Sequence, residues 1–366
     1  MSSASAPDRG CWIALDIGGA NIKVAHGGGQ ARTVPFEVWK RPDELGQVIA
    51  TAVAAFPACD RAAVTMTAEL CDCYPTKTVG VNAVLDAVVA GVPGCSIVVW
   101  GVDGEFHSVD EARRQPRLAA AANWLALATL AARLIPEARG LLIDIGSTTT
   151  DLIPLDRGRV AARGQSDTER LQTGELVYAG IRRTPVCALA TELPLRGTPT
   201  GLAAEIFAST LDVYLTLGDI EPNPSDLSTA DGRPATIQAA RDRLARMVGA
   251  DRDGLSAADA LAFAQAADLC LMDRLSRAAE RACRPTIGRP GAAVIAGSGD
   301  FLGRRLAQRV IESNGPIICL KEAWGSLASS AGCAYALVAL ASERFRADRQ
   351  PARDSRTGPS LEATPT

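Results

Sequence analysis

Histidine is almost missing from this chain: His26 and His107 are the only two among 366 residues. His26 precedes Gly27-Gly28-Gly29 and His107 follows Gly104-Glu105-Phe106, turn settings that favour the solvent side over a reaction centre. Acid–base work therefore falls to carboxylates, lysines, hydroxyls or a metal ion. Aromatic residues make up only 4%, no basic run occurs and the net charge is −3, which excludes nucleic acid as a partner. The longest apolar stretches are alanine-rich and broken by Arg, Asn or Gly, so no membrane span is expected. Residues 1–10 hold no apolar core of a signal peptide, and a cytoplasmic protein is expected. Ten cysteines are present without a single Cys-x-x-Cys. Cys71-Asp72-Cys73 has the spacing of neither a zinc knuckle nor a redox motif, and so few histidines cannot complete a zinc site. Unpaired thiols fit a reducing compartment. Nothing in the pattern bears on oligomeric state.

What is present is a glycine loop used twice, each time behind an aspartate at a strand end. The copies are Asp16-Ile17-Gly18-Gly19-Ala20-Asn21-Ile22-Lys23 and Asp144-Ile145-Gly146-Ser147-Thr148-Thr149-Thr150-Asp151. A turn without bulky side chains lets backbone N–H groups approach phosphate oxygens, and Asn, Ser or Thr add donors. Gly18, Gly19, Asn21, Gly146, Ser147, Thr148 and Thr149 are the expected phosphate contacts. Asp16 and Asp144 are expected to hold a divalent cation, Mg²⁺ above all, because hard cations take oxygen ligands. Asp151 stands where strands are poor in carboxylates, as a further metal ligand or a satisfied turn. A third turn, Ala296-Gly297-Ser298-Gly299-Asp300, joins a strand to a helix; Gly297 and Gly299 leave room for an anion or a ribose there. Gly303 falls one place late for a dinucleotide fingerprint.

Hydrophobic periodicity predicts strands at 12–16, 22–26, 33–38, 62–67 and 96–101, with helices at 42–56, 79–90 and 115–134. The pattern restarts with strands at 140–145, 150–155 and 159–162. Helical segments at 203–217, 237–248 and 257–283 follow, then strands at 292–296 and 317–320 around a helix at 301–313, and a last helix at 324–341. Two lobes are expected: 11–122 with 326–345 around the first loop, and 123–325 around the second loop and the Gly297 turn. Residues 1–10 and 346–366 read as unstructured.

This order of motifs resembles the actin, Hsp70 and sugar-kinase superfamily over nearly the whole chain. Asp144 to Asp151 is similar to its hydantoinase/oxoprolinase branch. The resemblance implies an α/β, two-lobed actin-like ATPase (ribonuclease H-like) fold with a central ligand cleft. Further segments, Pro35-Phe36-Glu37-Val38-Trp39-Lys40, Val64-Thr65-Met66-Thr67-Ala68-Glu69-Leu70 and Thr173-Gly174-Glu175 through Arg182-Arg183-Thr184-Pro185, are similar to tetrahydromethanopterin-linked one-carbon pathway proteins. Thr229-Ala230-Asp231-Gly232-Arg233-Pro234 adds to this match. That family includes the methanofuran-biosynthesis aryl ether synthases. It implies a transferase that joins the phenol of γ-glutamyltyramine to an aminomethylfuran-methyl diphosphate and releases diphosphate. The same loops equally suit an ATP-dependent oxoprolinase-like hydrolase or a small-molecule kinase, so ATP stays open. A nucleotide-switched partner protein is a third class, with no appended domain to support it.

Residue chemistry supplies candidates for the reaction. Lysine occurs only at positions 23, 40, 77 and 321 in a chain that otherwise uses arginine. Lys23, inside the first repeat, is expected to contact phosphate as a compact charge. Glu69 and Glu175 are bracketed by small or apolar residues, where a carboxylate is costly unless it serves a site or a pair. Either can act as base; capping is the plain alternative for Glu175. Arg182, with Arg183, is placed to neutralise a diphosphate or to form surface pairs with Glu169 or Glu192.

Overall fold

In a computed structural model, which describes residues 8–347, the alternation of β1 (Asp8–Ile17) buries both faces of the strand. Ile13, Leu15 and Ile17 point into one core and Trp12 and Ala14 into another. β1 is joined by β2 (Asn21–His26), β3 (Ala31–Pro35), α1 (Leu45–Val53), β4 (Cys59–Met66), α2 (Lys77–Gly91), β5 (Ser96–Trp100) and β6 (Phe106–Ser108). The strands lie in the order β3-β2-β1-β4-β5-β6. β1, β2 and β3 form an antiparallel meander, while β1, β4 and β5 run parallel. Short helices α3 (Val109–Arg114) and α4 (Pro116–Ala119) lead to α5 (Asn123–Ala132).

The second half repeats this plan. β7 (Arg139–Ile145), β8 (Thr150–Asp156), β9 (Arg159–Val160), α6 (Asp167–Thr173) and β10 (Leu176–Val177) come first. A hairpin of β11 (Glu192–Leu195) and β12 (Thr198–Gly201) follows, then α7 (Thr210–Leu217), α8 (Ile237–Arg246) and α9 (Ala257–Cys283). β13 (Ala292–Ala296), α10 (Asp300–Val310), β14 (Ile317–Cys319), α11 (Leu320–Trp324), α12 (Ser326–Ser330) and α13 (Gly332–Ala347) complete the chain. The second sheet has the order β10-β8-β7-β13-β14, again a meander on one side of its central strand and parallel strands on the other. Leu141, Ile143 and Ile145 of β7 face the core under α9 and α10, and Leu142 faces α5. Two sheets of one topology make this the two-lobed α/β fold expected from the motif order. Crossover helices cover the parallel strands, as such strands require.

Three expected helices are interrupted. The stretch 115–134 breaks into α4 and α5 at Ala121, which takes φ 51°, a left-handed conformation unusual for alanine. Alanine propensity is overridden by tertiary demands. The helix expected at 324–341 breaks at Gly325, where φ is 86°, and again at Ala331, whose backbone is not helical, so that α12 packs beside β3 and α13 crosses β1 and β2. Of the helix expected at 203–217, only Thr210–Leu217 forms. β1 already begins at Asp8, where its backbone pairs with Cys59, inside the segment expected to be unstructured. The remaining expected ends, 1–7 and 348–366, lie outside the described residues. Among the described residues no helix is long and apolar enough to cross a membrane.

Candidate functional site

Both glycine loops sit where the central strand of a sheet ends, the place where open α/β sheets bind ligands. They share one turn: Gly18 N–H donates to the Asn21 carbonyl (3.0 Å) and Gly146 N–H to the Thr149 carbonyl (2.9 Å). Among the described residues, the next two amides in each copy, Gly19 and Ala20 or Ser147 and Thr148, make no hydrogen bond. Two adjacent unsatisfied amides form an anion-binding concavity. A Cβ on Gly19 would press on Cys71 Sγ, 2.9 Å away, so this position has no room for a side chain.

Each loop is held by a segment from its own half. The Gly19 and Ala20 carbonyls accept from Val38 N–H (2.9 Å) and Phe36 N–H (3.0 Å). The Gly146 carbonyl accepts from Ile181 N–H (3.1 Å), and the Ser147 carbonyl from Arg182 N–H (3.1 Å) and Arg183 N–H (3.0 Å). Gly180 must lack a side chain, since a Cβ would strike the backbone of Gly146, Ser147 and Thr148. These straps lie in two of the segments, 35–40 and 173–185, that carry the narrower resemblance. They also meet each other: the Arg183 guanidinium lies 5.3 Å from the Trp39 ring centre.

Between the loops lies a group of charges drawn from both sheets. Asp16, 2% exposed, stands opposite Lys23 across β1 and β2, with Nζ 3.3 Å from Oδ2. Asn123 Nδ2 donates to the other oxygen at 3.4 Å, a contact made possible by the chain break before α5. Asp16, with Asp144 adding, holds the Lys23 ammonium firmly protonated. Asp144 stands opposite Asp151 across β7 and β8. Burial, then the charges of Asp151 and Asp16, push the Asp144 carboxyl up to about 7 against the pull of Lys23. The loop aspartates therefore sense one another across a single cleft. Asp16, Asp144 and Asp151 offer only oxygen donors, the kind that suits Mg²⁺, though among the described residues their oxygens are not drawn together within ligating distance of one another. Asp151 is less free than expected, because its Oδ1 is bound by buried Arg170 at 2.5 Å. Arg170 in turn lies 4.2 Å from the Trp124 ring centre.

The third glycine turn abuts the second loop. Gly297 has φ 83°, and a Cβ there would collide with the Ile145 carbonyl and the Asp144 carboxylate. Gly299 N–H donates to the Ile145 carbonyl at 2.9 Å, and a Cβ on Gly299 would crowd Ile145 and Ile181. These glycines serve close packing around Asp144.

The two expected bases part company. Glu69 lies in a single helical turn between Thr67, whose N–H donates to the Ile17 carbonyl (2.9 Å), and Cys71, which faces Gly19. Its flanking residues thus touch the first loop; Glu69 itself is 1% exposed, and among the described residues neither carboxylate oxygen has a hydrogen-bond partner. Burial pushes it up to about 7; its own amide, Lys77 and the Ala121 amide oppose this, and Asp167 adds to it. Lys77 and Asp167 pair with each other at 3.1 Å, linking α2 to α6. Glu175, by contrast, accepts Arg163 N–H (2.7 Å) on one oxygen and Gly164 N–H (2.9 Å) on the other. Both its oxygens are thus engaged in fastening the approach to α6. Glu175→Gln is expected to lower unfolding stability by about 1–3 kcal/mol, since an amide NH₂ would face an N–H donor in a buried place. Thermal melts alongside steady-state kinetics check this: lower Tm with an unaltered pH–rate profile is the expected result.

Arg182 is likewise engaged, its guanidinium paired with Asp226. Arg183 has no carboxylate partner and is the better placed cation. Neither pairs with Glu169, which caps α6 by accepting Gln165 N–H and Ser166 N–H. Asn123, Arg170 and Trp39 were not singled out by sequence. Only Trp39 carried a signal, as the one aromatic with a large ring in the 35–40 strap.

The chain matches the hydantoinase/oxoprolinase family over residues 60–342. It is 36% identical over 255 residues to the (4-{4-[2-(γ-L-glutamylamino)ethyl]phenoxymethyl}furan-2-yl)methanamine synthase of Methanocaldococcus jannaschii, covering 69% of this chain and 76% of that protein. It is 30% identical over 212 residues to the synthase of the same name from Methanococcus vannielii, covering 57% of this chain and 92% of that one. Among solved structures it is similar to a chain of the PilM–PilN type IV pilus biogenesis complex, at 13% identity and TM-score 0.48, covering 90% of this chain and 97% of that one. The activator of the 2-hydroxyisocaproyl-CoA dehydratase from Clostridium difficile is similar at 14% identity and TM-score 0.44, covering 94% and all of that chain.

Proposed function

The chain belongs to the hydantoinase/oxoprolinase family, and on that footing we propose that it is a transferase that makes the phenoxymethyl-furan ether of the methanofuran pathway. The donor is an aminomethylfuran-methyl diphosphate, the acceptor the phenol of γ-glutamyltyramine, and diphosphate leaves. The observation that carries the reading is the pairing of two loops, each with two uncommitted amides, with a buried carboxylate, Glu69, in the turn whose flanking residues Thr67 and Cys71 touch the first of them.

Breaking the furfuryl C–O bond needs chiefly stabilisation of the departing anion, since the furan ring spreads the positive charge left on the methylene carbon. The amides of Gly19, Ala20, Ser147 and Thr148 donate to the diphosphate oxygens, and Lys23 and Arg183 face its charge. Asp16 and Asp144 would hold Mg²⁺, which when bound neutralises diphosphate charge. Glu69, poised near neutral pH, takes the phenol proton as the phenol oxygen attacks. The Trp39–Arg183 and Lys77–Asp167 contacts span the two halves and keep water from the cation.

Incubation with both substrates and Mg²⁺, without ATP, is expected to yield the ether and an equivalent of diphosphate. Absence of ether together with ATP hydrolysis stimulated by an amide or an alcohol would replace this reading with the hydrolase or kinase alternative.

A further inference from the structure

At the end of the first sheet farthest from the loops, four strands bring together side chains that are distant in sequence. Cys11 lies near the start of β1, His26 ends β2, Cys59 starts β4, and Cys95 directly precedes β5. Cys11, His26 and Cys59 place their ligand atoms within 4.8 Å of one another. Cys11 Sγ is 3.0 Å from His26 Nε2. The other ring nitrogen settles the chemistry. Gly28 N–H donates to His26 Nδ1 at 3.0 Å, so Nδ1 accepts and the proton of the neutral ring sits on Nε2, facing the sulfur. An Nε2 that carries a proton has no lone pair for a metal ion, but it is a donor to a thiolate.

We propose that Cys11 is a peroxide-reactive thiol and Cys59 its resolving partner, which together form a reversible disulfide across β1 and β4. Both are partly exposed, so an oxidant reaches them. Cys11 lies inside the break in the β1–β4 ladder between Asp8 and Trp12, where regular pairing does not lock the backbone. That freedom matters, because the sulfurs must close to about 2.05 Å. The two thiols are not equivalent. Cys95 Sγ donates to the Cys59 carbonyl at 3.2 Å, whereas the Cys59 thiol makes only a long contact of 3.8 Å with the Pro57 carbonyl, beside the Cys11 sulfur. Burial, with the Cys11 sulfur adding, pushes the Cys59 thiol up, so Cys59 stays protonated while Cys11 attacks first.

The step balances as follows. Cys11 Sγ attacks a peroxide oxygen, the O–O bond breaks, and the leaving oxygen takes a proton as water or alcohol. Cys11 is now a sulfenic acid. Cys59 Sγ attacks that sulfur, the S–O bond breaks, and the hydroxyl leaves as water with the Cys59 proton. Two thiols lose two electrons and the peroxide gains them.

The test uses the full chain treated with hydrogen peroxide, followed by differential alkylation and peptide mass spectrometry. Expected is loss of two alkylatable thiols, a Cys11–Cys59 linked peptide, and recovery of both by dithiothreitol. In Cys59→Ser a dimedone adduct should accumulate on Cys11, and His26→Gln should slow the reaction about tenfold or more. Circular dichroism of each variant separates these effects from misfolding. Reaction at Cys71, Cys73, Cys187 or Cys270 as fast as at Cys11 would overturn the proposal. So would one equivalent of tightly bound Zn²⁺ that shields Cys11, His26 and Cys59 together.

Discussion

Glu69→Gln is expected to slow ether formation by about 10²–10⁴-fold, the range lost when a general base is removed, with diphosphate affinity unchanged. The wild-type rate should rise with pH through about 7 as Glu69 ionises, and that limb should vanish in the variant. Stability should move the opposite way. Because the folded-state carboxyl is raised above its ordinary value, the native protein binds more protons than the unfolded chain between about 4.5 and 7. Folding therefore loses stability as pH rises through that window, and the penalty persists above it. A neutral Gln escapes the penalty, so the variant should be more stable near pH 8 by on the order of 3 kcal/mol, and no more stable at pH 4. A catalytically crippled protein that melts higher only at neutral and alkaline pH is hard to produce by damage. Rate profiles and melts at two pH values check both halves. A variant that is slower and also less stable at pH 8 would assign Glu69 to structure.

Asp144→Asn is expected to weaken Mg²⁺-dependent diphosphate binding and to cut the rate by about 10²–10³-fold, the loss seen when one stabiliser of developing negative charge is removed. The wild-type carboxyl is raised to about 7 by burial and by Asp151 and Asp16, so below that pH a cation must displace a proton from it. Calorimetry in buffers of different ionisation heat should detect proton release on Mg²⁺ binding at pH 6, fading at pH 8. The variant should release none. Unchanged diphosphate affinity in both Asp144→Asn and Asp16→Asn would remove the loops from the reaction.

Much of this architecture was legible in advance because it rests on local rules. β1 and β7 alternate side chains between two buried faces, and each ends in an aspartate and a glycine turn. The long helix α9 carries a Ser256–Asp259 capping box and a continuous apolar stripe, so both its ends could be read off. What could not be read is what tertiary contact decides. Nothing in Ala119-Ala120-Ala121-Ala122 announces the break that delivers Asn123 to Asp16. Glu69 and Glu175 look alike in sequence, each a carboxylate among small apolar neighbours. They differ because the amides of Arg163 and Gly164 fold back onto one with full hydrogen bonds, while the other has only the nearby amides of Glu69 itself and Ala121, neither in hydrogen-bond geometry. Spacing rules also missed the Cys11–His26–Cys59 cluster, since strand neighbours in a sheet need not be neighbours in the chain.

The twin loops share a turn but not their side chains, and that difference gives the cleft a direction. The first copy presents Gly19, Ala20 and Asn21 beside an ammonium; the second presents three hydroxyl-bearing residues, Ser147, Thr148 and Thr149, beside Asp144. A symmetric dianion would see two unlike ends. On the proposed reading, one terminal phosphoryl group and one ester-linked phosphoryl group are told apart before any bond breaks. The furan can then enter in one orientation only, its methylene turned toward Glu69. On that reading the polarity of binding comes from the difference between two otherwise equivalent turns.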